Sequence, residues 1–237
     1  MILDCSSRES ATTSLSKIFN TTEEKLISAL RSVSPYDSDC QSPEDVIYTG
    51  ICDSFGAPVD GVSILWFHGT RVEDENCFHD HGILPKSSAR KFLEPLLNKL
   101  AEGLESSGDN PFSLSLLGKQ DPHDEGPFAF LIRNVAIQAP GANHNYVEAP
   151  EMVEDIAGSL LGENYMDLVN RFQKITIPCV VSFLSESKGY ELAHALFFLK
   201  LIEDGELEID AGSAANTFFN AEGQLISPDK IQGVELV

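Results

Sequence analysis

An apolar run over residues 62–67 most constrains the fold of this chain, because it is long enough for one buried strand and ends abruptly in polar residues. The run is Val-Ser-Ile-Leu-Trp-Phe, and its β-branched and aromatic side chains are typical of a strand inside a sheet. His68, Gly69, Thr70 and Arg71 follow directly. Glycine lets a backbone approach a ligand closely, and the end of a buried strand displays side chains rigidly. This segment is therefore the best candidate for a functional site.

Periodicity along the rest of the chain predicts helices that interleave with strands, which favours the α+β class. An amphipathic helix is expected over 87–104, where apolar residues recur at helical spacing. Residues 1–20 lack such periodicity, so residues 1–60 are expected to form an N-terminal appendage with one helix, and residues 61–237 the main domain. Further helices are expected over 21–33, 149–161, 164–173 and 189–203, and strands over 126–137, 175–184, 207–210, 217–219 and 233–237.

The segment from Leu65 to Arg71 resembles the first signature of the ADP-ribosyltransferase fold, in the branch that includes the poly-ADP-ribose polymerases and diphtheria toxin. In that branch a strand ends in His-Gly-Thr or His-Gly-Ser, and a short helix then leads to a turn; residues 78–84 follow here in the same order. The closing segment, residues 224–237, is similar to the last strands of that fold. The resemblance implies a split, mostly antiparallel sheet flanked by helices over 61–237.

The resemblance also implies roles for the four residues after the apolar run. By this resemblance, His68 and Thr70 of this chain would hold the adenine-side ribose of NAD, and the backbone of Gly69 would form hydrogen bonds with the nicotinamide amide. An imidazole nitrogen and a hydroxyl can both bond a sugar diol, and a missing Cβ leaves room for a flat amide. Arg71 is a candidate for the diphosphate, since a guanidinium matches phosphate oxygens bidentately. The alternative for Arg71 is a surface ion pair with one of the acidic residues that follow it.

The second signature of the family is an aromatic residue, often Tyr, that stacks on nicotinamide. Tyr146 is the leading candidate, because it lies in a polar loop after a predicted strand. Phe128 and Phe130 are alternatives, although phenylalanines within a strand belong more often to a core. Aromatic faces hold a flat cationic ring by stacking and by cation–π attraction.

The third signature is a Glu on a late strand, which binds the nicotinamide-side ribose and promotes transfer by electrostatic and general-base action. Here the chain departs from the family, since residues 217–220 are Thr-Phe-Phe-Asn. Glu222, in a predicted turn just after them, is the nearest candidate. Glu148, Glu151 and Glu154 are alternatives.

Two hypotheses for function follow from these residues. The first is NAD-dependent ADP-ribosyl transfer to a protein or small-molecule acceptor, with NAD as substrate and with Glu222 and Tyr146 as catalytic residues. The alternative is a catalytically inactive module of the same fold that binds a nucleotide or a protein partner. The missing Glu on the late strand favours this alternative.

Composition limits the other classes of function. The net charge of −21 opposes attraction to nucleic acid and to anionic lipid, because both need clustered Lys and Arg. No apolar run reaches the roughly 20 residues of a membrane-spanning helix, and no secretory signal is expected at the N-terminus.

Five cysteines without Cys-x-x-Cys spacing favour a reducing cytoplasm over a disulfide scaffold. The histidines at 79, 81, 123 and 144 do not predict a metal centre, since a His-x-His pair on a helix points its side chains apart.

Overall fold

The computed structural model describes residues 1–36, 40–110, 125–138 and 145–237. None of the helices in these residues has the length and apolarity that crossing a membrane requires. The strands are β1 (Ile2–Leu3), β2 (Ser63–Val72), β3 (Phe128–Phe130), β4 (Ile177–Glu186), β5 (Phe218–Asn220) and β6 (Ile231–Leu236). The helices are α1 (Arg8–Ile18), α2 (Glu23–Ser32), α3 (Pro43–Phe55), α4 (Cys77–His81), α5 (Lys86–Ala101), α6 (Arg133–Gln138), α7 (Glu151–Leu161), α8 (Tyr165–Ile175), α9 (Tyr190–Glu203) and α10 (Glu208–Ala215).

The strands form one sheet with the order β5-β3-β2-β4-β6, and β1 pairs in parallel with the beginning of β2. β2 and β3 pair in the antiparallel sense, with Phe67 opposite Phe130, and so do β4 and β6. This mostly antiparallel sheet flanked by helices confirms the predicted α+β class.

Contacts divide the chain into two compact units, and the first comprises Met1–Phe67, Phe130–Gly141 and Leu184–Phe218. Its core centres on α9, which packs against α1, α2, α3 and α10. The helix itself carries apolar side chains on nearly every side, which is typical of a deeply packed helix. Leu196 and Phe198 are fully buried. The N-terminal segment and the segment around α9 therefore share one core.

The second unit comprises His68–Ala129, Ala142–Phe183 and Phe219–Val237. Helices α5, α7 and α8 pack on one another within it. Their amphipathic faces meet around Leu97 and Phe172, which are almost completely buried. This helical layer contacts the guanidinium of one of the predicted site residues, as described below.

The N-terminal segment carries three helices instead of the one that was predicted. Residues 1–20, for which no helix or strand was predicted, are structured, because β1 joins the sheet and α1 packs on α9. The side chain of Ser7 caps α1 by accepting the N–H of Ser10, and Leu15 and Ile18 are fully buried. Serine and threonine have low helix propensity, so the pattern concealed a helix that tertiary burial stabilises.

Helix α3, which was not predicted, begins at a proline, a residue that interrupts the interior of most helices. Pro43 occupies the first turn, where no N–H is needed, and the side chain of Ser42 accepts the N–H of Asp45 as an N-cap. A proline directly after serine therefore starts a helix here rather than a turn.

The strand predicted over 126–137 is wrong beyond its first half. Only Phe128–Phe130 is a strand, and α6 follows after two residues. The side-chain oxygen of Asn216 accepts the N–H groups of both Leu131 and Ile132, at 3.1 and 3.2 Å. The N–H of Leu131 also donates to the carbonyl of Thr217, so the Asn216 side chain replaces a backbone partner only at Ile132, where the chain leaves the sheet.

The strand predicted over 207–210 is also wrong, since these residues begin helix α10. Glu208 and Asp210 lie in the first turn, where negative charge complements the helix dipole. A Cβ at Gly212 would lie 3.3 Å from the side chain of Ile132, so the small residue allows close packing.

The remaining predicted elements are confirmed within a few residues at their ends, because each has strong apolar periodicity or a β-branched run. They are the helices predicted over 21–33, 87–104, 149–161, 164–173 and 189–203 and the strands predicted over 175–184, 217–219 and 233–237.

Candidate functional site

The His-Gly-Thr segment lies inside β2 and not at its end. The strand was predicted to stop at Phe67, but it continues to Val72. The prediction is wrong because β2 lies between β3 and β4, and pairing on both sides keeps the polar residues extended. Successive side chains of a strand point to opposite faces of the sheet. His68 and Thr70 therefore share one face, and Gly69 and Arg71 share the other.

The imidazole of His68 bonds to the neighbouring strand. Its Nδ1 lies 2.7 Å from the carbonyl oxygen of Phe128, and because a carbonyl only accepts, Nδ1 is the protonated nitrogen. Burial lowers the pKa of His68, and the bond to Phe128 opposes this shift without cancelling it. The ring is therefore neutral at pH 7, and Nε2 carries a lone pair. Such a nitrogen has the acceptor chemistry that a sugar hydroxyl needs.

The guanidinium of Arg71 bonds to oxygens of the protein itself. Nη1 donates to the carbonyl of Val147 at 2.7 Å, and Nη2 donates to the carbonyls of Gln173 and Thr176 at 3.1 and 2.9 Å. Nε donates to the hydroxyl of Thr176 at 3.1 Å. These four bonds fix the side chain to the end of α8 and to the turn before α7. The geometry does not support a diphosphate role, since most donors are engaged and Arg71 faces away from His68.

Tyr146 lies in the turn directly before Val147, whose carbonyl accepts from Arg71. The half-buried Tyr146 thus belongs to the segment that Arg71 holds, on the face opposite His68. Of the alternatives, Phe130 contacts Phe218 edge to face, with ring centroids 5.2 Å apart. This contact is that of a core residue.

Phe128, the other alternative, lies under the ammonium of Lys86, which is 5.4 Å from the ring centroid. This arrangement shows that its face suits a cation. Its side chain shares the face of Phe130, two residues along β3, and Phe130 pairs with Phe67. It therefore lies on the face of Arg71 and not on that of His68.

Glu222 is exposed in a turn just after β5. Its φ of +51° is unusual for a residue with a side chain, and Gly223 follows at +80°. Two backbone bonds anchor the turn: Ala221 donates to the carbonyl of Pro127 at 3.1 Å, and Gly223 donates to that of Gly126 at 2.7 Å. The turn therefore lies beside Gly126 and Pro127, which directly precede Phe128, the residue whose carbonyl accepts from His68. Of the alternative glutamates, Glu148 is exposed, Glu151 lies 3.8 Å from the ammonium of Lys86, and Glu154 is in the first turn of α7.

The pairing of the strands places Phe219 in line with His68, which the sequence alone did not predict. Since Phe67 lies opposite Phe130, His68 lies opposite Ala129. The bonds from Ala221 to Pro127 and from Leu131 to Thr217 place Phe219 opposite Ala129. Opposite residues of antiparallel strands share a face, so these three side chains lie side by side across the sheet.

The ring of Phe219 also contacts that of Phe183 edge to face, with centroids 5.2 Å apart. The β5 position in the row of His68 and Ala129 is therefore occupied by Phe219, one member of an aromatic pair. A carboxylate does not stand there.

The histidines give no metal centre in the described part of the chain. His79 and His81 lie on the short helix α4, and the structure brings no group of three metal-binding side chains together in the residues it describes. His123 and His144 lie outside the described residues.

A cavity of about 650 Å³ lies in the first unit, at the beginning of α9. Its lining includes Tyr48, Ser63, Lys188 and Leu192, and it contains none of the predicted site residues. The buried carboxylate of Glu191 beside it is satisfied by bonds from the loop before α9.

Comparisons of the chain with protein-family models, with curated proteins and with solved structures found no match.

Proposed function

We propose that this chain is a catalytically inactive module of the ADP-ribosyltransferase type, which works by binding a protein partner. The observation that carries the proposal is the lateral row His68, Ala129 and Phe219. ADP-ribosyl transfer develops positive charge on the ribose, and a fixed carboxylate stabilises that charge best in a site that excludes water. Phe219, at the β5 end of this row, supplies no such charge.

The location of Glu222 supports the same conclusion. Its carboxylate belongs to an exposed turn, where water screens its field and weakens any stabilisation of a cation. Its backbone N–H is bonded to the side chain of Asn220 at 2.8 Å, which closes the turn locally.

Of the two ligand classes, a protein partner fits better than a nucleotide. A diphosphate needs cations, and Arg71 donates its hydrogen bonds to carbonyls of the protein. The net charge of −21 repels a free diphosphate as well. The same charge attracts a basic protein surface and speeds its association.

The test measures both turnover and binding of NAD by the full chain. We expect no release of nicotinamide above the rate without protein, and no heat of binding when NAD or ADP-ribose is titrated in. His68→Ala should leave both results unchanged. Nicotinamide release by the wild type that disappears in His68→Ala would overturn the proposal. Saturable binding of NAD without release would leave the module inactive but change its ligand to a nucleotide.

A second candidate, NAD-dependent ADP-ribosyl transfer, is favoured by two observations. His68 presents a neutral ring with an acceptor nitrogen, and the Glu222 turn is anchored beside the segment that ends in Phe128. Under this candidate, Glu222→Gln should lower nicotinamide release about a hundredfold or more. Glu206→Gln, an exposed glutamate of the first unit, is the matched control and should leave release unchanged.

A further inference from the structure

Strand β6 forms one end of the sheet, with β4 as its only neighbour among the described strands. Bonded and non-bonded residue pairs alternate along an antiparallel ladder. The N–H of Val237 donates to the carbonyl of Pro178 at 3.1 Å, so residue 237 belongs to a bonded pair. Leu236 and Val234 lie one and three residues before Val237, so they belong to the alternate, non-bonded pairs. Their N–H and C=O groups therefore point away from β4.

These outward groups form an open edge. Within the part of the chain that the structure describes, nothing bonds to the outward N–H and C=O groups of Val234 and Leu236. Such a row is a template for another strand, and natural proteins protect it with charged side chains, Lys above all, with Pro or with a bulge. β6 contains neither Lys nor Pro, its one charged side chain is Glu235, and its bulge lies near Gln232, before the open groups.

Apolar side chains surround the same end of β6. Ile177, Leu236 and Val237 are 41, 48 and 41% exposed, and Ile175 at the end of α8 is 40% exposed. The bond between Val237 and Pro178 places these residues near one another. An added strand would therefore find both backbone partners and an apolar surface for its side chains.

Charge decides which kind of strand fits this edge. Helix α4 packs against β6, and the loop before α4 carries Glu73, Asp74 and Glu75. Glu235 on β6 is exposed, and the cations are Lys230, before the strand, and the exposed Lys174, next to Ile175. The surroundings are thus mainly acidic. A second copy of the chain would bring another net charge of −21 against the first, which opposes self-pairing.

We propose that residues 234–236 of β6 are the docking edge for an extended basic segment of a partner protein. The segment adds one strand to the sheet by bonding the outward groups of Val234 and Leu236, and its cations face the acidic loop before α4. This inference rests on the proposed function and deepens it, since it names the place and the chemistry of the partner contact.

The first experiment titrates the full chain with a short peptide of alternating Val and Lys. The matched control peptide alternates Val and Glu. We expect saturable binding of the Val–Lys peptide that weakens as salt is added, and no measurable binding of the Val–Glu peptide. Equal binding of the two peptides, or no binding of either, would overturn the proposal.

The second experiment removes a single outward donor. Val234→Pro deletes an N–H that points away from β4, so the ladder to β4 keeps its bonds. Val234→Thr keeps the N–H and is the control. Peptide affinity should fall about tenfold in Val234→Pro and stay unchanged in Val234→Thr. Circular dichroism shows whether each variant is folded.

A third experiment leaves the protein unchanged and serves if Val234→Pro fails to fold. The Val–Lys peptide is N-methylated at alternate residues, which removes its donors on one edge only. Methylation on the edge that pairs should abolish binding, and methylation on the opposite edge should not. Equal binding of both methylated peptides would exclude strand addition. A fourth experiment measures the oligomeric state of the chain alone by sedimentation, and a monomer is expected. If the wild type were a dimer and Val234→Pro a monomer, the strand that pairs with β6 would be that of a second copy, and the proposal would be wrong.

Failure of this inference and failure of the proposed function give different results. Peptide binding as expected together with nicotinamide release would refute only the inactive module. Absence of peptide binding together with absence of nicotinamide release would refute only the docking edge.

Discussion

Arg71 is held by four hydrogen bonds from its guanidinium to three residues of the second unit. The planar fork of arginine fits several acceptors at once, and the three carbonyls would be left without donors if it were removed. We expect Arg71→Ala to lower the free energy of unfolding by about 3 kcal/mol, measured by urea denaturation. Arg71→Lys should lose more than half of that amount, because an ammonium does not reproduce the fork.

Arg90→Ala is the control for this prediction. Arg90 forms an exposed pair with Glu94 on α5, and its loss should cost less than about 0.5 kcal/mol. An Arg71→Ala variant as stable as the wild type would show that the four bonds contribute nothing, and would return Arg71 to the candidates for ligand binding.

His68 gives a pH dependence with a definite sign. Its folded-state pKa lies below the unfolded value of about 6.5, because burial disfavours the charged ring. Between the two pKa values the unfolded chain binds more protons than the folded chain. The stability that this ring contributes is therefore complete above about pH 6.5, and it is lost as the pH falls towards the folded-state pKa.

The measurement compares urea denaturation of the wild type and of His68→Gln at several pH values between about 5 and 7.5. The wild type should lose more stability than the variant as the pH falls, since glutamine does not titrate. A wild type that gains stability relative to His68→Gln at low pH would contradict the assigned neutral ring.

At the scale of single elements, the first turn of helix α9 carries a buried carboxylate, that of Glu191, which accepts hydrogen bonds from the preceding loop. Glu191 is 1% exposed. Its Oε2 accepts from the hydroxyl of Ser187 at 2.9 Å and from the N–H groups of Lys188 and Gly189 at 3.0 and 2.9 Å. Three donors on one charged oxygen make a strong local network, so the loop before α9 is fixed by this side chain.

We expect Glu191→Ala to lower the free energy of unfolding by about 3 kcal/mol, because it leaves buried donors without an acceptor. Glu191→Gln keeps one acceptor oxygen but loses the charge, and should cost about 1 to 2 kcal/mol. The control is Glu186→Ala, an exposed position at the end of β4 that should change stability by less than about 0.5 kcal/mol. Equal effects at 186 and 191 would contradict the role of Glu191 in fixing the loop before α9.

Elements could be predicted from sequence where the apolar pattern was strong, and not where tertiary contacts decide. Helices α5 and α9 have leucines at helical spacing or on every side, and both were predicted. Five of the eleven residues of helix α1 are serine or threonine, and burial against α9, α2 and β1 stabilises the helix together with the Ser7 cap. Local propensity carries no information about such burial.

The candidate site shows the same limit. The sequence placed His68, Gly69, Thr70 and Arg71 together, and the alternation of a strand separates them into two faces. That Phe219 lies in line with His68 depends on the register of three strands, which are distant in sequence. Register follows from side-chain packing and turn geometry across the whole sheet, so no short motif contains it.

At the scale of the molecule, two of the few cations of this acidic chain fix one acid whose side chain is almost buried. Glu203, at the end of α9, has a side chain that is 4% exposed and forms ion pairs with Arg8 of α1 and Arg31 of α2. Burial raises the pKa of the Glu203 carboxyl, but the bonds from the two arginines outweigh it and hold the pKa below its usual range. Two helices of the N-terminal segment are thereby connected to the same turn of α9.

The integration of the N-terminal segment into the first unit gives the last prediction. Leu15 of α1 is fully buried, and α1 packs on α9, which belongs to a distant part of the chain. Leu15→Ala should therefore lower the free energy of unfolding of the full chain by about 3 kcal/mol, through lost burial and the cavity that it leaves. Lys17→Ala, an exposed position two residues further along α1, should change it by less than about 0.5 kcal/mol. If residues 1–20 were instead a separate lead-in, both variants would unfold at the same urea concentration as the wild type, because neither side chain would contribute to the core that unfolds.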